Sequence, residues 1–151
     1  MTDFQALFTQ SRGEPIQHNG QTLHMADRFP VSNGQALRLT FDATSSDWRQ
    51  GVHLSTVGSF NVAGQVIKSA LVLWRDTAPD AVDFTVQSKS GFCSVKNVWD
   101  IGDGVMHSWH NGGAMIVSDY GSERLYECND GYPDDDFDDL VFRIRLGELT
   151  A

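Results

Sequence analysis

Six aspartates fall within the ten residues from Asp130 to Asp139: Asp130, Asp134, Asp135, Asp136, Asp138 and Asp139. Like charges this close repel one another. A folded chain keeps them only where water solvates them or a cation neutralises them. The stretch also holds Asn129, Gly131, Tyr132, Pro133 and a central Phe137, then turns at once into an apolar strand from Leu140. Carboxylates mixed with an amide on an irregular loop suit calcium, a hard cation that takes roughly six to eight oxygen ligands. In an extended chain Asp134, Asp136 and Asp138 point one way, and Asp135, Phe137 and Asp139 the other. One ion therefore cannot use all six acids unless the loop curls. The candidate ligands are Asn129, Asp130, Asp134, Asp136, Asp138 and Asp139. The expected centre of the set is Asp134, Asp136 and Asp139, joined by Asn129 or Asp130. The spacing is not that of an EF-hand loop, because the glycine is misplaced and no glutamate ends it. The competing reading is a solvated acidic turn that guards the edge of the last strand.

The segment Asp134-Asp135-Asp136-Phe137-Asp138-Asp139-Leu140-Val141 resembles the D-x-D-[FY]-[ND]-D-[LV]-[VI] signature near the C-terminus of DUF4114-like bacterial β-sandwich domains. The resemblance covers about a tenth of the chain. It implies a calcium-binding, adhesion-associated domain of secreted or surface proteins. On that pattern Asp134, Asp136 and Asp139 are the recurrent acids and Phe137 is the anchor. Asp138 stands where the family more often has Asn.

Sugar rings stack their C–H faces on Trp and Tyr, and calcium can hold paired hydroxyls. Tyr132, inside the acidic loop, and Trp48, in a polar loop, are the candidate contacts for such a ligand. Asp103 is a third candidate, and it and Asp100 would join the cation site if their loop lies at the same end of the domain. Trp74 and Trp99 sit in apolar strand context and read as core. His107 and His110 would point to opposite faces of a strand, a poor arrangement for joint zinc ligation. No nucleophile elbow, phosphate-binding loop or zincin motif occurs. A carboxylate pair for glycoside hydrolysis needs one acid in an apolar pocket, and a crowded acidic loop is a poor place for one.

These residues must be placed by strands. Leu37, Leu39 and Phe41 alternate with polar residues, as do Val82, Phe84 and Val86, and then Leu140, Phe142, Ile144 and Leu146. The last of these segments is expected to close the sheet. Gln65–Trp74 is the most apolar run and reads as a central strand buried on both faces. Further strands are expected at 52–62, 92–101, 105–109, 114–117 and 124–128. Turns are expected at Asn33-Gly34, Gly64, Ser88 to Gly91 and Asn111-Gly112-Gly113, the last closing a hairpin. Phe4, Leu7 and Phe8 fall at helical spacing. The expectation is one domain over 1–151, an all-β antiparallel sandwich, jelly-roll-like, of about eight strands with a short N-terminal helix.

The chain of 151 residues is long enough for a real core. Its net charge is −9, and without the six clustered aspartates it would be −3, so the acidity is mostly local. That balance argues against nucleic acid and anionic membrane surfaces as partners. No apolar run is long enough to span a bilayer. No secretory signal is visible in Met1 to Gln5, from which the cytosol or export by another route is the expectation. Cys93 and Cys128 fit no metal or redox spacing and read either as one disulfide or as two thiols buried in strands. Together these features predict a calcium-binding β-sandwich module for carbohydrate or a glycosylated surface. The alternatives are a structural or protein-interaction domain in which calcium only locks the fold, and a glycan-active hydrolase.

Overall fold

The computed structural model describes residues 4–108, 112–131 and 136–147. The chain is an antiparallel all-β protein with one short helix, as expected, and has ten strands among the described residues rather than about eight. Helix α1 (Phe4–Ser11) buries Phe4 and Phe8, one turn apart. It stops where Arg12 and Gly13 take positive φ and the Gly13 N–H reaches back to the Phe8 carbonyl at 2.9 Å, a glycine-assisted helix end. The strands are β1 (Ile16–His18), β2 (Gln21–His24), β3 (Asp27–Pro30), β4 (Gln35–Thr44), β5 (Arg49–Val62), β6 (Gln65–Trp74), β7 (Ala81–Asp100), β8 (Ala114–Asp119), β9 (Glu123–Asn129) and β10 (Leu140–Leu146).

They form one continuous sheet in the order β1-β2-β8-β9-β10-β4-β7-β5-β6. The long β7 pairs with β5 along one side. On its other side it pairs with β4 through its first half and with β3 through its second. The sheet curls so that its two halves face each other across one core, which gives the sandwich-like arrangement. Inward side chains from both halves meet there, among them Phe29, Leu39, Leu54, Phe84, Val95, Tyr126 and Phe142. Each fully buried aliphatic or aromatic side chain contributes about 1.5–3 kcal/mol. A smaller second core joins Phe4 and Phe8 of α1 to Leu23, Ala114 and Phe137.

The alternation in β10 holds, with Leu140, Phe142 and Ile144 buried. The strand does not close the sheet, however. It lies inside it, hydrogen-bonded to β9 and to β4. Alternation reports which face is buried and says nothing about how many neighbours a strand has. The apolar β6 is likewise not a central strand. It is an edge strand in which Leu71 alone falls in the buried class. Its inner residues Ile67 and Leu73 pack on the core, while Arg49 stacks on Trp74 at 4.3 Å on the outside. Lys68 and a positive-φ Ser69 interrupt this edge, devices that discourage pairing with other chains.

The turn expected at Ser88 to Gly91 is a bulge within one strand. Thr56 pairs with Cys93 and Gly58 with Ser88, so Lys89 to Phe92 bow out opposite the single residue Val57. A Cβ at Gly58 would fall 1.9 Å from the Gln87 carbonyl oxygen, so the bulge requires glycine there. Of the hairpin expected around Asn111 to Gly113, the described residues 105–108 do not pair with the strand from Ala114. β8 pairs with β2 and β9, and His107 bridges to Trp99 instead. A glycine pair marks a reversal of the chain without naming the strand that follows it. Trp109, His110 and Asn111 lie outside the described residues.

Cys93 and Cys128 are separate, fully buried free thiols. Burial pushes the Cys93 thiol up to about 12. It also raises Cys128 well above the ordinary range, with help from Asp139 and Glu127. Attack needs a thiolate. Cys93 should therefore react with a disulfide reagent at pH 8 roughly a thousandfold more slowly in the native protein than after denaturation, and Cys128 should be slowed as well. Labelling of either at the rate of an exposed cysteine would contradict this placement.

Candidate functional site

The acidic loop leaves β9 at Asn129 and enters β10 at Leu140. Alternation across its described end holds. Phe137 and Asp139 are buried, while Asp136 and Asp138 are exposed. Phe137 sits at φ 56° and inserts into the second core, its ring centroid 6.0 Å from that of Phe4. Helix α1 is thus what the anchor is anchored to. The Phe137 N–H donates to Asn129 Oδ1 at 2.6 Å, which ties the two ends of the loop together. Two residues on, Asp139 Oδ2 accepts the Asp130 N–H at 3.0 Å. The Asp139 carbonyl accepts from Thr44 Oγ1 at 2.8 Å and from the Ser45 N–H at 3.3 Å.

Asp130 turns inward. It is fully buried, and Asp139 is 3 % exposed. Asp130 Oδ2 accepts from Gln50 Nε2 at 2.9 Å and from the Ser46 hydroxyl. Ser46 Oγ in turn accepts the Trp48 N–H at 3.1 Å, and Gln50 Nε2 also reaches the Trp48 carbonyl at 3.3 Å. Asn97 Nδ2 donates to the Asn129 carbonyl at 2.8 Å. Gly131 lies against the Trp99 indole, where an added Cβ would come within 3.1 Å. The node is therefore built from the ends of four strands, β4, β5, β7 and β9, together with the start of β10.

Two side-chain atoms in this node are buried without a hydrogen-bond partner among the described residues: Gln50 Oε1 and Asn129 Nδ2. A buried polar atom left unmatched costs about 1–3 kcal/mol. Gln50 Oε1 is a carbonyl acceptor on the same amide whose nitrogen holds Asp130. Two buried carboxylates and that amide oxygen fit a hard cation. Asn129 fits less well, because its oxygen already accepts from Phe137 and its unmatched atom is a donor. Asp136 and Asp138 stand at the rim. Asp134 and Tyr132, the other expected members, lie outside the described residues, as do Pro133 and Asp135.

Asp100 lies at the same end of the sheet, paired in register with Arg49 next to Gln50, but its carboxylate and that of Asp103 are engaged within their own loop. Asp100 Oδ1 accepts the N–H groups of Gly102 and Gly104 at 2.8 and 3.2 Å. Asp103 accepts from the Val105 N–H and sits 3.3 Å from His107 Nε2. The Val105 N–H first, and the histidine after it, hold its carboxyl below the usual range. Among the described residues no group of three or more His, Cys, Asp or Glu stands close enough to hold a metal by itself. Trp99 is core at 2 % exposure, and Trp74 is half-buried.

Trp48 is half-buried and lines a groove of about 520 Å³ with Ser46, Asp47, Arg49, Gln50 and Asp76. Arg49 is held by Asp76 at 2.8 Å. The groove shares Ser46 and Gln50 with the buried node, so the Trp48 surface and the acid loop belong to one region. Compared with protein-family models and with curated proteins, the chain finds no match. The functional reading rests on the chemistry of this region.

Proposed function

We propose that the protein is a calcium-binding β-sandwich module whose ligand is a carbohydrate or a glycosylated surface, held in the Trp48 groove beside the acidic loop. The observation that carries the metal part is the buried, unmatched Gln50 Oε1, on the amide whose nitrogen donates to Asp130, a residue whose own backbone N–H donates to Asp139. Asp130, Asp139 and Gln50 would hold the ion, while Asp136 and Asp138, exposed where Asp139 is buried, would stay in water. The bound cation would neutralise the acids. Phe137 fixes the loop from the inside, and Thr44 and Ser45 fix the strand entry at Asp139. Trp48, Asp47 and Asp76 offer a ring face and carboxylates to sugar C–H groups and hydroxyls.

One observation favours the second reading, that calcium only locks the fold. Asp130 and Asp139 are almost wholly covered, so a cation between them would lie beneath the surface that a ligand touches.

Thermal melts in EDTA, in calcium and in magnesium test the metal. Calcium at 100 times its dissociation constant should add about 2.7 kcal/mol, a rise of roughly 5–11 °C for a chain of this length. Asp139→Asn should abolish the rise. No shift at millimolar calcium, or an equal shift with magnesium, would overturn the proposal. A glycan array with and without calcium then separates the two readings. Calcium-dependent signal lost in Trp48→Ala supports the lectin-like module, and a calcium melt shift with an empty array supports the structural role.

A further inference from the structure

The bulge between β5 and β7 builds a second site of opposite charge. Thr56 Oγ1 donates to the Phe92 carbonyl and lies within hydrogen-bond distance of Ser88 Oγ, both at 2.8 Å. Ser88 Oγ also accepts the Gly91 N–H at 3.1 Å, and the Ser88 N–H donates to Asn33 Oδ1 at 2.7 Å. This hydroxyl knot fixes the bulge and pushes Phe92 and Val57 to the surface, 38 % and 60 % exposed. On the same outer face the register sets Arg28, Ser94 and Ser55 in one row across β3, β7 and β5. Together with Thr56, Val57, Ser90 and Phe92 they line a cleft of about 410 Å³ that no carboxylate borders among the described residues.

Arg38, Arg49, Arg75, Arg124 and Arg143 each hold a carboxylate. Arg28 shares with Arg12 and Arg145 the lack of an ion pair among the described residues, and differs from those two in being stacked on an aromatic ring. Its guanidinium lies on the Phe92 ring, 3.9 Å from the centroid. Stacking fixes the plane of the guanidinium and leaves its N–H edge for a planar or tetrahedral oxyanion, which it can grip with two hydrogen bonds. One pleat along β7, Lys96 lies opposite His53 on this face. Its charge and the burial of the ring, burial first, keep His53 below its usual pKa. On a chain of net charge −9 this is a local reversal of sign.

We propose that the cleft is an oxyanion site that takes the sulfate or carboxylate group of an acidic saccharide. Arg28 grips the anion, the Ser55 and Ser94 hydroxyls meet its remaining oxygens or adjoining sugar hydroxyls, and Phe92 and Val57 accept the C–H side of the ring. The site shares no residue with the acidic loop. The saccharide class rests on the carbohydrate reading above, whereas the oxyanion site itself does not.

The test is calorimetric titration of the whole chain, in EDTA and again in calcium, with four probes: a sulfated cellohexaose, hexagalacturonate, cellohexaose and inorganic sulfate. The expected result is binding of one or both acidic oligomers in EDTA, with cellohexaose and free sulfate at least about tenfold weaker. Arg28→Ala should weaken that binding about tenfold or more, and Arg28→Lys should recover only part of it. Arg28 is exposed, so an unchanged melting temperature in both variants shows that the fold is intact. If the sulfated oligomer binds and the galacturonate does not, the anion is a sulfate, and the reverse names a carboxylate. Acidic oligomers that fail to bind, or that bind Arg28→Ala as tightly as the parent, overturn the inference. Free sulfate binding as tightly as the oligomers overturns the saccharide assignment. Calcium-dependent binding of neutral glycans through Trp48 would survive any of these failures, which keeps the two readings separable.

Discussion

Asp27→Ala is expected to remove about 3 kcal/mol of folding stability. Asp27, on β3, is 7 % exposed and reaches across the sandwich to β9, a strand to which β3 is not hydrogen-bonded. Its Oδ2 accepts from the Tyr126 hydroxyl at 2.7 Å and from Arg124 at 2.9 and 3.0 Å. The three groups clamp the two halves of the sheet where they face each other. Without the carboxylate, Arg124 stays mostly buried beside a hydroxyl that has lost its acceptor. The loss falls at the low end of the range for a broken buried pair because Arg124 keeps Asp119 at 3.0 Å. Tyr126→Phe should cost only about 1–2 kcal/mol, since the ring stays stacked on Phe142 at 4.7 Å. Asp27→Asn should fall between the two. Urea denaturation in EDTA reads all three, and Asp27→Ala should melt roughly 6–12 °C lower than the parent. A loss below about 1 kcal/mol for Asp27→Ala would mean that the apolar core alone holds the halves together.

The clamp also shows which part of the fold could be read from sequence. Strand type and buried face were legible because they are local. Leu37/Leu39/Phe41 and Phe142/Ile144 alternate with polar neighbours, and a two-residue period leaves no other packing. Strand neighbours were not legible, because they depend on residues far along the chain. Nothing within Gln65–Trp74 distinguishes an edge strand with one covered face from a central strand. Nothing within Ser88 to Gly91 distinguishes a reversal from a bulge, since both use glycine at positive φ.

The candidate site divides in the same way. The acids announce themselves by density, and Phe137 by its oddity among them. Their partners do not. Ser46, Gln50 and Asn97 come from segments up to 84 residues away in sequence. A usable signal did exist for three of the buried polar residues. Gln50 shares the inward parity of Val52 and Leu54, Asn97 that of Cys93 and Val95, and Asp27 that of Phe29. A polar residue at an inward position must find a partner inside, and each of these does so at a node that joins distant strands.

Phe137→Ala should cost about 3 kcal/mol and weaken the calcium response along with the fold. The ring is 7 % exposed and packs on Phe4, so its removal leaves a cavity between α1 and the loop, and Phe-to-Ala changes in a core cost about 3–5 kcal/mol. The lower value applies because this second core is small and lies at the rim. The backbone adds a check specific to this position. At φ 56° any L-residue is strained by about 1–2 kcal/mol, which glycine does not suffer. Glycine's greater freedom in the unfolded chain takes back about 0.5–1 kcal/mol. Phe137→Gly should therefore be as stable as Phe137→Ala or better by up to about 1.5 kcal/mol, the reverse of the order in an ordinary strand. A double-mutant cycle with Phe4→Ala should show about 0.5–1.5 kcal/mol of coupling through the ring contact. The Phe137 N–H also holds Asn129, and Asp139 two residues on holds Asp130. Loosening the anchor should then spread the acids apart. The calcium-induced rise in melting temperature should shrink in both Phe137 variants and stay at the parental size in Asp27→Asn, which is destabilised elsewhere. A full calcium response in Phe137→Ala would separate the anchor from the acids and leave Phe137 with a packing role alone.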